Sequence, residues 1–189
     1  MLMMYLGIFG IIIVGTLLHF IYEWSHHNKC VAVFAAVNES VWEHIKIAMT
    51  PTFIWLIICG FHYGWTPYLL IASVLCLSTI ILLIPALFYS YTAFTKKAIL
   101  PVDIICFCIT IICSQLVFFH FLNLYVAPLF CIIVSVVMLI IELFVYFAFS
   151  FFPPKNLFFK DPITKKYGLE GHPCRHNHHH NHKHSHKQK

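Results

Sequence analysis

The sequence predicts an all-α fold, a polytopic transmembrane helix bundle of about five spans with an outside N-terminus, an inside C-terminus and a histidine-rich tail. Three observations predict it. The chain is 60% hydrophobic and only 10% charged, where soluble domains are about 25% charged. The apolar residues come in long blocks, not in alternation. All 12 lysines and arginines fall in segments that alternating spans would place on one side. In lipid each backbone N–H and C=O must be satisfied internally, so only helices or a closed barrel can span. A barrel would show short dyad-patterned strands, and runs such as Tyr68–Tyr89 do not.

Residues 3–23, 41–59, 67–89, 99–120 and 124–151 read as the spans, each near or above the ~20 residues that cross a ~30 Å core. The first is long enough to span and lacks a basic n-region and a small-residue cleavage site, so it is expected to be a membrane helix and not a signal peptide. Gly7, Gly10 and Gly15 there should permit close helix approach. The second span is the weakest: its first turn is polar and Pro51 should kink it. The stretch before it, residues 30–37, is too short to span and reads as re-entrant or interfacial. Trp24, Trp42, Trp65, Tyr89 and Tyr91 lie near predicted ends, where amphipathic rings favour the headgroup level.

Orientation follows from the basic residues. Lys29, Lys46, Lys96, Lys97, the tail lysines and Arg175 fall in segments 24–46, 90–98 and beyond 152, and the loops near 60–66 and 121–123 carry none. Positive charge marks the cytoplasmic side. The chain therefore divides into a transmembrane helical domain (1–152), a basic amphipathic juxtamembrane segment (153–170) expected along an anionic inner leaflet, and a low-complexity tail (171–189) expected to be disordered. Seven cysteines sit in or beside apolar segments, at spacings that fit neither a disulfide framework nor paired zinc knuckles.

The chemistry-bearing residues gather at one leaflet. His19 and Glu23 are i and i+4, hence on one helix face. Glu39, Glu43 and His44 open the second span on the same side, Asp103 begins the fourth, and Glu142 lies in the inner half of the fifth. Intramembrane ionisable groups are costly and usually face the bundle interior with a partner. Imidazole with carboxylate suits zinc, and nickel, cobalt, iron or manganese can use the same mix. A local structural explanation competes for Glu43, since Ser40-x-x-Glu43 matches a capping box and Glu43 shares a face with Lys46. In the tail, His172, His176, His178, His179, His180, His182, His184 and His186 make up eight of the 14 histidines, a density that binds divalent transition metals with little geometric choice.

The stretches HFIYEWSHHN (19–28) and VNESVWEHIKIAMTP (37–51), with VDI (102–104) and PPKNLFFKDPITKKYG (153–168), resemble a family of small bacterial integral membrane proteins of unknown function. The NE-x-x-WEH-x-K pattern carries the resemblance. It implies an envelope protein of this size and brings no activity.

The leading expectation is a multi-pass cell-membrane protein that handles a divalent transition metal, zinc or nickel foremost, by transport, efflux or sensing. His19, Glu23, Glu39, Glu43, His44 and Asp103 would form an inner-leaflet site and the tail would gather ions. One rival is an intramembrane metal-dependent hydrolase, although no HExxH or nucleophile motif supports it. The other is a structural or assembly subunit. Expected partners are the bilayer, transition-metal ions and, because the chain is small for alternating access, a second copy of itself. Nothing points to nucleic acid.

Overall fold

The computed structural model describes residues 1–123 and 127–172. It contains five long α-helices: α1 (Leu2–Trp24), α2 (Val41–Tyr63), α3 (Pro67–Thr95), α4 (Leu100–Leu122) and α5 (Leu129–Phe151). All five are long and apolar enough to cross a membrane, and the described residues form no strand beyond an isolated Lys160–Tyr167 bridge. The fold is all-α, as the apolar blocks predict. The tail histidines His176, His178, His179, His180, His182, His184 and His186 lie outside the described residues.

α3 is central, packing on α2, α4 and α5, while α1 packs on α2 and α4. α5 is peripheral. Only Ser135, Glu142 and Tyr146 are buried along it, so most of its surface is available to lipid. A cavity of about 770 Å³, lined by Phe53, Leu77, Leu139 and similar side chains, separates it from α2. Its polar edge is Thr50 and Tyr146, whose hydroxyls are bonded to each other at 2.7 Å.

Glycine permits the close approach of α1 to α2. A Cβ on Gly15 would lie 2.9 Å from the Ile47 carbonyl and 2.6 Å from the Phe107 ring. Pro51 has no N–H to give that carbonyl four residues back, and the bare Gly15 backbone covers it. Gly7 is similarly tight against Trp55 and Gln115. Gly10 faces open space, contrary to expectation.

Residues 31–37 settle as a plug in one end of the bundle. A short 3₁₀ turn (Val31–Val33) leads into Ala35, Ala36 and Val37, all buried. Its carbonyls point at polar groups inside: Lys46 Nζ donates to Ala32 O at 2.7 Å, Tyr146 to Val33 O and Thr50 to Phe34 O. An irregular backbone is tolerated at this depth only when such partners exist.

Three local expectations are corrected. Ser40 is the N-cap of α2 but makes no side-chain cap bond; Asn38 Oδ1 takes the Ser40 N–H and Glu43 turns elsewhere, so there is no capping box. Trp42 is 3% exposed, packed against Phe149, Phe158 and Phe159 instead of sitting in an interfacial belt. Tyr91 also turns inward, to Asp103.

The segment after α5 folds back onto the protein. Asp161, 1% exposed, accepts from the N–H groups of Ile163 and Thr164 and shapes a tight turn. Phe159 is buried, Trp42 N donates to Phe158 O, and Asn38 Nδ2 donates to Gly168 O at 2.9 Å. Gly171 packs on Asn38, so Gly171 and His172, grouped with the tail by composition, belong to this lobe.

Candidate functional site

His19 stands near the end of α1, Glu39 just before the N-cap of α2, and His44 one turn into α2. The packing of α1 on α2 and the plug at 31–37 bring them together. His19 Nε2 lies 3.2 Å from Glu39 Oε1 and His44 Nε2 lies 3.8 Å from Glu39 Oε2. One carboxylate thus faces two imidazoles, whose ring centroids are 6.3 Å apart. All three side chains are mostly buried.

The tautomer of His44 follows from its other nitrogen. Nδ1 is 2.9 Å from the Ser40 carbonyl oxygen, which can only accept, so Nδ1 carries the proton. Nε2 then presents to the carboxylate a lone pair in the neutral ring, or a second N–H in the imidazolium. A backbone carbonyl fixing the far ring nitrogen is the usual support of a metal-ligating histidine. Glu39 itself is held ionised. Burial works against its charge, but the His19 hydrogen bond and the charges of His19 and His44 outweigh it and set its pKa below the usual 4.5.

Asp103 sits in the first turn of α4. Tyr91 donates to its Oδ1 at 2.5 Å and accepts the Ile99 N–H, which staples the α3–α4 connection. With His19, Glu39 and His44, Asp103 lines a cavity of about 220 Å³ between α1, α2 and α4 whose remaining walls include Phe20, Phe107 and Ile104.

The other sequence candidates are not in this cluster. Glu43 is buried and bonds Lys46 Nζ at 2.6 Å and the Val37 N–H at 3.0 Å, which commits it to holding the plug. Glu23 is largely exposed and lies 3.9 Å from His172 Nε2. Glu142 accepts from Ser78 at 2.6 Å, on α3 and α5, and its Oε2 has no hydrogen-bond partner among the described residues. His62 and His120 are at the opposite end of the bundle, in the last turns of α2 and α4. His26 and His27, in the first inside loop, read from sequence as a solvated loop or as an extension of a metal path from the tail; the structure pairs His27 with His172 at 3.0 Å, a partner no sequence pattern named.

Among the described residues, no group of three or more His, Cys, Asp and Glu side chains is gathered closely enough to hold a metal ion as it stands. Tetrahedral bonds of about 2.0–2.1 Å imply ligand–ligand edges of about 3.3 Å. The His19–Glu39 distance meets that edge; the His44–Glu39 distance exceeds it by about half an ångström.

No curated protein and no solved structure matches the chain. The sequence model of the Family of unknown function (DUF6512) matches residues 2–169, which covers the helical bundle and nearly all of the packed C-terminal lobe, and the chain belongs to that family.

Proposed function

We propose that this protein binds and handles a divalent transition-metal ion, zinc or nickel by donor set, at His19, Glu39 and His44. One observation carries the reading. The His44 Nδ1–H is committed to the Ser40 carbonyl, so its Nε2 lone pair and the Glu39 carboxylate face the same gap. Such a gap is filled by a cation, either a proton on Nε2 or a metal ion bound by both groups, and the test below separates the two. A metal ion draws the His44 and Glu39 side chains together by the half-ångström that separates them from coordination. Asp103, on the far wall of the same cavity, completes the coordination or accepts the proton that binding releases.

The Lys and Arg distribution supports an N-out, C-in orientation in the cell membrane. The cluster then lies at the cytoplasmic leaflet, beside the start of the histidine-rich stretch, which collects ions on that side. Cytoplasmic collection favours export or sensing over uptake. Alternating access by so small a bundle calls for a second copy.

The test uses the full chain with the seven histidines from His176 to His186 replaced by asparagine, which removes tail scavenging. The protein is chelated, re-exposed to zinc or nickel, desalted and analysed for metal. The reading expects retained metal that falls by about one ion per chain in Glu39→Gln and in His44→Ala. Metal retained equally by both variants overturns it. No retained metal also overturns it, and leaves the trio as an imidazolium–carboxylate pin between α1 and α2.

A further inference from the structure

We infer a second metal station at the mouth of the site, formed by His27, His172 and Glu23, which receives ions from the histidine-rich stretch and passes them to the inner cluster. The inference rests on the reading above for its direction of transfer, while the station itself stands on separate observations.

His172 is fixed as His44 is. Its Nδ1 lies 3.0 Å from the Val37 carbonyl oxygen, an acceptor only, so Nδ1 carries a proton and the neutral ring offers its lone pair at Nε2. That Nε2 is 3.0 Å from His27 Nε2 and 3.9 Å from Glu23 Oε1. The two distances bracket the edge of about 3.3 Å expected for tetrahedral zinc or cobalt. Without metal, His27 donates to His172. With metal, His27 takes its Nδ1–H tautomer, the Nε2 proton passing to solvent and Nδ1 taking one up, so that both Nε2 lone pairs become ligands. Glu23, largely exposed, is free to swing in.

The surroundings hold the two rings in place. Tyr22 is buried and stands edge-on to His172 at 5.1 Å and tilted against His27 at 5.2 Å. His26 and His27 both take the left-handed backbone conformation, φ 55° and 61°, which residues with a Cβ rarely adopt. Bonds from their N–H groups to the Glu23 and Tyr22 carbonyls hold that turn, and it brings the His27 ring under His172.

The route inward is short. One cleft of about 220 Å³ is lined by Glu23 and His172 of the outer group together with His19 and Glu39 of the inner one. His19 and Glu39 also line the inner cavity. His172 is the first of the eight clustered histidines, so the stretch that gathers ions starts from a ligand of the outer station.

Co²⁺ titration, followed by its visible d–d absorption, tests this on the full chain carrying asparagine at the seven histidines after His172. The expectation is two equivalents per chain. Glu23→Gln and His27→Ala should each remove one equivalent, and His44→Ala should remove the other. Glu23→Gln changes an exposed side chain, so its folding is safe even if His27→Ala disturbs the turn. Two equivalents retained in both outer variants overturn the outer station. One equivalent in the parent, lost only in His44→Ala, also overturns it and leaves the inner site standing. One equivalent lost only in the outer variants supports the station and removes the inner site.

Discussion

Replacing Lys46 by methionine keeps the side-chain length and removes its charge, and it tests the assignment of Glu43 to the bundle's frame. Lys46 is 1% and Glu43 6% exposed at the side chain, and their charged atoms are 2.6 Å apart. Lys46 Nζ also donates to Ala32 O, and Glu43 accepts from Val37 N, so the pair ties α2 to both ends of the plug. Lys46→Met strands a buried carboxylate, and breaking a buried pair from one side costs about 3–5 kcal/mol. At about 2–4 °C per kcal/mol for a chain of this size, the melting temperature should fall by roughly 6–20 °C. Glu43→Gln with Lys46→Met together removes both charges and should recover most of the loss, because an apolar or neutral replacement of a whole buried pair is often near neutral. The assay is thermal unfolding in detergent followed by far-UV circular dichroism, with retained zinc measured alongside. A Lys46→Met variant that melts like the parent would refute the plug account, and a Glu43→Gln variant that loses metal while keeping its melting temperature would return Glu43 to the metal site.

Other consequences are as direct. Gly15→Ala puts a methyl against the Ile47 carbonyl and Phe107 and should cost about 1–3 kcal/mol, whereas Gly10→Ala, with open space around it, should melt unchanged. The depressed pKa of Glu39 means that its pairing with His19 contributes stability in full above the ordinary carboxyl value of 4.5 and loses it as pH falls below that. Melting temperature against pH should therefore drop on the acid side in the parent and flatten there in Glu39→Gln. Trp42→Ala removes the side chain that Phe149, Phe158 and Phe159 pack on and should cost about 3–5 kcal/mol. It should also expose Lys160 and Lys165 to trypsin sooner than in the parent, and equal cleavage rates would count against the packed lobe.

The helices were legible because lipid leaves the backbone few options: long apolar blocks must be helical, and their ends differ from expectation mainly where α2 and α3 run on, to Tyr63 and Thr95, and where α5 begins only at Leu129. The gathering of acids and histidines at one end was legible from the same alternation of spans. The Glu43–Lys46 pair was legible too, from its i,i+3 spacing. The meeting of Glu39 with His19 and His44 was not, because it depends on residues 31–37, whose insertion has no period to read. The capping-box pattern at Ser40 was a misleading local signal, because Asn38 reached the Ser40 N–H first. The folded lobe at 153–172 was hidden for a different reason. Phe158 and Phe159 among lysines read equally well as a membrane-surface segment, and only the tertiary contact with Trp42 distinguishes the two.

The most direct test of the metal assignment is zinc K-edge X-ray absorption on the zinc-loaded full chain carrying asparagine at the seven histidines after His172 and Glu23→Gln, so that the inner site alone is filled. The account predicts a nitrogen and oxygen shell near 2.0–2.1 Å with imidazole scattering from two rings, losing one ring in His44→Ala. A shell of oxygen alone, or one that His44→Ala leaves unchanged, would contradict it.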